Sequence, residues 1–176
     1  KLNLPDWWIG AGFIRSKVWD VLHGYKERTP MLASSDIDII YFDRNDYSAN
    51  EAKSDITQKE KYYQDLLKSE LPNINWSVTN QARMHLFHGD EQYKSSEKAL
   101  AQWVETATCI GVKLDKNNKL TLSAPRGIND LVNLILRPTP DANNSIDLFY
   151  ERINKKKWLI KWPKLKVLTE VHQNIY

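Results

Sequence analysis

Two aspartates one residue apart, Asp36 and Asp38, are the pair in this sequence best placed to do chemistry. They open the run Asp36-Ile-Asp-Ile-Ile-Tyr-Phe42, whose β-branched and aromatic residues predict a strand. Residues two apart on a strand point to the same face, with backbones roughly 6.5–7 Å apart. The pair therefore presents two carboxylates side by side, while Ile37 and Ile39 turn into the core. Two carboxylates that close repel each other unless a cation lies between them. Mg²⁺ suits such a site, as does Mn²⁺, because it takes one or two carboxylates and fills its octahedron with water and phosphate oxygens.

Upstream, the short apolar run over residues 7–9 stops at Gly10-Ala-Gly12. A helix follows, with Ile14, Val18, Val21 and Leu22 at helical spacing and Gly24 as its stop. Glycine at a strand-to-helix turn lets backbone amides approach a phosphate, and the helix start favours negative charge. Gly10 and Gly12 are therefore the candidate nucleotide-binding glycines. Arg15 and Lys17, one turn further on, are the candidate nucleotide-binding cations. Each part alone is weak: Asp-x-Asp is common in loops, and Arg15 and Lys17 equally read as a solvated helix face. Their order and spacing together carry the expectation.

The elements that must position these residues are legible in outline. Residues 25–35 and 43–50 read as loops. A charged helix over 51–70, with Ile56, Tyr63, Leu66 and Leu67 as its apolar stripe, is ended by Pro72. A strand is expected over 74–78 and a short helix over 81–87. Ser95 caps another helix that runs to Trp103. Strands over 109–114 and 120–123 form a hairpin, and helices follow over 127–134 and 145–156. Strands and helices are mixed without regular alternation, which predicts an α/β (α+β) fold with a mixed sheet.

The chain has 176 residues, 41% hydrophobic and 27% charged, as an ordinary globular domain does. Seven Trp and eight Tyr supply large areas to bury. The net charge of +3 is too small to imply nucleic-acid binding and is compatible with a small anionic substrate. Cys109 is the only cysteine and sits in an apolar stretch, so it reads as core. No run approaches 18 apolar residues, and the start is not a signal peptide, so a cytoplasmic protein without membrane contact is expected. The first residue is not Met, which leaves a preceding segment open.

The order Gly-x-Gly, helix, Asp-x-Asp resembles the nucleotidyltransferase superfamily of the DNA polymerase β type. Ala11-Gly-Phe-Ile-Arg15, with Ser35-Asp-Ile-Asp38, is similar to the Gly-Gly-x-Val-Arg and Asp-x-Asp of tRNA CCA-adding enzymes. Nearly the full length resembles a small bacterial group of nucleotidyltransferase-family proteins of unknown function. That resemblance runs through Trp7-Trp-Ile-Gly-Ala-Gly-Phe-Ile-Arg15, Asp36-Ile-Asp-Ile-Ile-Tyr-Phe-Asp43 and Trp76-Ser-Val-Thr-Asn-Gln-Ala-Arg-Met-His85. It continues in Glu105-Thr-Ala-Thr108, Arg137-Pro-Thr-Pro140 and Trp162-Pro-Lys-Leu165. The resemblance implies the polymerase β-type fold, a mixed sheet flanked by helices. It implies one domain over 1–176, with the motif core in 1–100 and a family-specific C-terminal extension in 101–176. It also implies metal-dependent transfer of a nucleoside monophosphate from a nucleoside triphosphate to an acceptor that is a small molecule, an RNA or a protein.

The pattern departs from that superfamily at one point. A third carboxylate usually stands on a neighbouring strand, but Ile74-Asn-Trp-Ser-Val-Thr-Asn80 contains no acid. Asn80 could ligate a metal through its carbonyl but is no base. Glu105 and Asp43 are the alternative carboxylates. Arg83 could grip a phosphate and His85 shuttle a proton, while His85 and His88 lack a third ligand for a metal of their own. The gap supports a second reading, a catalytically degenerate nucleotide-binding or regulatory module. A third reading is an RNA-binding protein using the basic aromatic tail Lys155-Lys-Lys-Trp-Leu-Ile-Lys-Trp-Pro-Lys164. Against it, Trp158, Ile160 and Trp162 alternate as a half-buried docking strand would.

Overall fold

The computed structural model describes residues 2–10, 12–26, 36–46, 56–140 and 146–169. Within them the β-rich runs become β1 (Trp8–Gly10), β2 (Ile37–Tyr41), β3 (Trp76–Asn80), β4 (Gly111–Leu114) and β5 (Leu120–Ser123). They form one sheet in the order β3-β2-β1-β4-β5, with β2 and β3 parallel and the other neighbours antiparallel. The expected mixed sheet is the one observed. Helices α1 (Gly12–Leu22), α2 (Gln58–Glu70), α3 (Gln81–His88) and α4 (Ser96–Leu100) belong to the first part of the chain. A second group follows: α5 (Asn129–Val132), α6 (Ile146–Lys155), α7 (Trp158–Lys161) and a parallel pair β6 (Ile135–Leu136) and β7 (Lys166–Val167). The loop expected around Pro30, the loop over 47–50 and the first residues of the helix expected from 51 lie outside the described residues.

A parallel strand pair needs a crossover, and α2 supplies it between β2 and β3. Its start is fixed by a capping box: Thr57 accepts from the Glu60 amide, and Glu60 accepts from the Thr57 amide. Alternation along the strands sends their side chains to two different cores. Ile39, Tyr41 and Val78 pack under α2 with Tyr63, Leu67 and Leu4. On the opposite face Trp8 and Ile40 meet Leu100 and the half-buried Trp103.

A third core lies beside the sheet, where Trp19 of α1 is buried among Leu131, Leu136, Phe149, Ile153, Trp158 and Trp162. Trp19 meets Trp158 and Trp162 edge-on, with ring centroids 5.7 and 5.1 Å apart. The tail docks as expected but not as a strand. Trp158 and Trp162 are four apart on α7 and its last turn, both buried, while Ile160 is 78% exposed. The spacing that matters there is helical, and the Trp162 indole N–H donates to Asp20 Oδ1 at 2.8 Å. No helix among the described residues is long and apolar enough to cross a membrane.

Candidate functional site

The strand register decides which side chains share the Asp38 face. Asp38 lies beside Ser77 in the parallel β2–β3 pairing, so the two point the same way. The Ser77 hydroxyl is near enough to the Asp38 carboxylate to favour its charged form. Burial first, and then the neighbouring charge of Asp36, push the Asp38 carboxyl up to about 6 from its ordinary 3.8; Ser77, Lys156 and Arg15 oppose that rise. Asp36 itself lies just before β2 and is exposed. Asp38 thus lies within reach of the charge of Asp36 and carries its own charge at a cost.

Gly10 stands next to this face for a packing reason. A Cβ there would come within 2.8 Å of the Trp103 ring, so the ring edge occupies the place of the missing side chain. Gly111, paired with Gly10, is filled in the same way by Leu100 at 3.1 Å. Gly12 opens α1, and its nearest crowding neighbour is the Arg15 guanidinium at 3.9 Å. Arg15 thus folds back toward the helix start, as helical side chains do.

Arg15 is the unusual cation of the site. It is only 5% exposed, its guanidinium has no hydrogen-bond partner among the described residues, and its Nε is fully buried. It lies against two rings instead, 4.2 Å from the Trp158 centroid and 5.0 Å from that of Trp19. Burial lowers its pKa to about 10; Glu105 and Asp38 work against the fall and Arg152 adds to it. It remains charged at neutral pH, within reach of the charges of Glu105 and Asp38 but hydrogen-bonded to neither. Lys17 is two residues further along α1, about 200° round the helix, and exposed. The structure does not bring Lys17 to Arg15.

Other residues singled out in the sequence are tied to partners of their own. Asn80 points to the α2 face, opposite to Asp38. There it caps α3 through Ala82 and ties the turn after β2, exchanging bonds of 3.1 and 2.9 Å with the Asp43 backbone. Asp43 is paired with Lys59 at 2.8 Å. Arg83 is buried in a two-pronged ion pair with Glu60, at 2.8 and 2.7 Å. Glu105, fully buried, binds Arg152 at 2.7 Å and accepts from the Thr108 hydroxyl at 2.6 Å. His88 contacts Tyr93 and not His85. Among the described residues no three of His, Cys, Asp and Glu are grouped to hold a metal, so the site offers the two aspartates alone.

Sequence reasoning missed four residues here: Ser77, Trp103, Arg152 and Lys156. Ser77 needed the register, which spacing does not give. Arg152 and Lys156 are four apart, the signature of one helix face, but nothing in the chain says what that face meets. Trp103 carries no signal of its own.

Comparison with known proteins settles the family. A family model described as nucleotidyltransferase matches residues 1–167. The chain belongs to the nucleotidyltransferase family. Its fold is similar, at a TM-score of 0.77 and 29% identity, to an NMR structure described as a CCA-adding enzyme head domain, covering 96% of this chain and 84% of that one. Two structures described as tRNA-processing enzymes, one an apo form and one a complex, share the fold at TM-scores of 0.50 and identities of 16% and 13%. This nucleotidyltransferase-family chain spans 41% and 40% of their lengths. No curated protein matches the sequence.

Proposed function

We propose that the chain transfers a nucleoside monophosphate from a nucleoside triphosphate to an acceptor hydroxyl. The observation that carries this reading is the juxtaposition of Asp38, which feels the charge of Asp36, with the buried Arg15, whose guanidinium finds no hydrogen-bond partner among the described residues. The donor set fits a divalent cation: two hard oxygen groups feel each other's charge, and the inner one is ionised at a cost that a cation relieves. Asp36 and Asp38 would hold Mg²⁺ or Mn²⁺, which when bound supplies charge neutralisation at the phosphoryl oxygens. Arg15 and the amides at the start of α1, beginning at Gly12, take the phosphates. Gly10 serves the same site indirectly, by seating Trp103 beside Asp38.

In the transfer, a bond forms between the acceptor oxygen and the α-phosphorus. The bond from that phosphorus to its bridging oxygen breaks, and pyrophosphate leaves. The residue opposite Asp38 is Ser77 rather than an acid, so the hydroxyl proton passes to water. The chain's contribution is positioning and charge, which is most of what phosphoryl transfer needs. The likeness to a CCA-adding head makes an RNA end the first acceptor to try, ahead of small molecules and proteins.

The test is the melting temperature with Mg²⁺ and each of the four nucleoside triphosphates, for the wild type and Asp38→Asn, followed by pyrophosphate release with candidate acceptors. Stabilisation that needs both metal and Asp38 supports the reading; nucleotide binding indifferent to both refutes it. The Ser77 position and the locked Glu105 favour one second reading, a nucleotide-binding module. It predicts Asp38-dependent binding without pyrophosphate release under any acceptor. The RNA-binding tail loses support, because the aromatic residues it would stack with, Trp158 and Trp162, are buried.

A further inference from the structure

Trp103, just after α4, is fixed on the Asp38 face of the sheet from two directions. Towards the sheet it fills a seat made by two glycines. Gly10 and Gly111 are direct partners on β1 and β4, and a Cβ on Gly10 would meet the Trp103 Cη2 and Cζ3 at 2.8 and 3.4 Å. Trp8 and Ile9 pair with Ile40 and Ile39, so the register sets Gly10 across from Asp38. Directly opposed residues point to the same face, and neighbouring strands are roughly 4.8 Å apart. The benzo edge of the indole therefore rests one strand away from Asp38, on the side of its carboxylate. The backbone is held as well. The Trp103 carbonyl accepts from the Thr139 hydroxyl at 2.6 Å, and its amide donates to the Leu100 carbonyl at 3.2 Å. Thr139 is buried, and its own amide donates to the Val104 carbonyl at 2.9 Å. The segment Arg137-Pro-Thr-Pro140, which the metal and phosphate chemistry leaves unused, thus clamps this one residue.

The outer part of the ring is in different surroundings. Trp8 and Leu100, its companions in this small core, are buried, whereas Trp103 is half-buried. Its indole N–H has no partner among the described residues, and unlike the Trp8 and Trp19 indole nitrogens it is not sealed from water. An indole that served packing alone would be closed over on all sides. This one has one edge locked and the other open, beside the carboxylate that would meet the α-phosphate. A nucleotide bound there carries its base one sugar away from that phosphate, within reach of a ring on the next strand. We propose that Trp103 is the nucleobase-binding residue of the site, with the base of the bound triphosphate packed against the open part of its ring. This rests on the transferase reading above, and adds a base contact to a site otherwise described by metal and phosphate. Trp103 lies outside the segments that carry the family resemblance, so that resemblance does not supply the role. Aromatic contact needs no particular pattern of donors and acceptors, so all four bases can use it, purines most strongly for their larger rings.

The experiment measures, by calorimetry in Mg²⁺, the affinity of the four nucleoside triphosphates and of inorganic tripolyphosphate for the wild type, Trp103→Leu and Trp103→Phe. Trp103→Leu should weaken the nucleoside triphosphates about fivefold or more, the value of one base–aromatic contact, and tripolyphosphate less than about twofold. Trp103→Phe should keep most of the nucleotide affinity, because an aromatic ring is restored. Fluorescence gives a second measurement that does not depend on the folding of the Leu variant. ATP with Mg²⁺ should quench the wild-type tryptophan emission, and the quench should shrink in Trp103→Phe. A Leu variant that loses nucleotide and tripolyphosphate equally, or loses neither, overturns the inference, because the ring is then scaffold. An ATP quench of undiminished size in Trp103→Phe overturns it too. Nucleotide binding that requires Asp38 but ignores Trp103 also overturns it, and leaves the transferase reading intact. Binding that requires Trp103 and a base but ignores Mg²⁺ and Asp38 does the reverse: the base contact stands and the transferase reading falls.

Discussion

Replacing Asp38 by Asn should make the metal-free protein more stable at neutral pH while abolishing its response to metal. The native carboxyl is raised from 3.8 to about 6, first by burial and then by Asp36. A group whose native pKa lies above its unfolded one binds its proton more tightly when folded. That stabilisation is complete below about 3.8 and is lost as the pH rises through about 6. Above that range the ionised Asp38 costs the fold at most about 3 kcal/mol, at about 1.4 kcal/mol for each tenfold in proton affinity. Asn has the same shape, can still accept from Ser77 and carries no charge. At about 2–4 °C per kcal/mol for a chain of this size, the variant should melt up to about 6–12 °C higher at pH 7.5 in EDTA. The gap should narrow below pH 6 and close near pH 4. Saturating Mg²⁺ should raise the wild type and leave the variant unchanged, since only a native-state ligand stabilises in this way. Differential scanning calorimetry across pH, with and without Mg²⁺, measures all of this. A variant less stable than the wild type at pH 7.5 without metal would refute the reasoning, because the carboxylate would then not be a cost.

The remaining predictions separate the site from its scaffold. Wild-type Mg²⁺ affinity, followed by calorimetry, should fall as the pH drops through about 6, where protons compete for Asp38; a flat profile between pH 5 and 8 would count against Asp38 as ligand. Gly10→Ala should cost about 1–3 kcal/mol in urea unfolding, because the new methyl would stand 2.8 Å from the rigid Trp103 ring. Arg83→Met should cost about 3–5 kcal/mol by leaving Glu60 buried without its partner. Its nucleotide affinity per folded molecule should not change, whereas a phosphate role for Arg83 would show as a loss there. Asn80→Ala should lower stability by about 1–2 kcal/mol through its lost cap and turn bonds, with Mg²⁺ affinity unaltered.

Local features of the sequence determined a good part of this protein. The Asp36–Asp38 pair could be read because strand alternation has a period of two, whatever the strand is packed against. Helix α1, the β4–β5 hairpin and the capping of α4 by Ser95 were legible because caps, turns and apolar spacing act over a few residues. The tail was read correctly as docking and wrongly as a strand. Over five residues, Trp158, Ile160 and Trp162 satisfy an alternating pattern and a helical one almost equally well, and only the buried partner Trp19 chooses between them.

Tertiary structure decided the rest. Asn80 and Ser77 are both polar residues of β3, and a register shared with β2 sends Ser77 to the carboxylates and Asn80 to the opposite face. Arg83 and Glu105 carry charges suited to phosphate or metal, yet each is itself buried and spent on an ion-pair partner, Glu60 or Arg152, distant in sequence. Arg15 shows the converse. Its type and position were visible in the chain, but the burial that leaves its Nε without a hydrogen-bond partner depends on Trp19 and Trp158, whose rings enclose it from opposite ends of the sequence. Ligand-seeking charge is a property of what surrounds a side chain, and that is set by contacts between distant residues, which spacing along one chain does not encode.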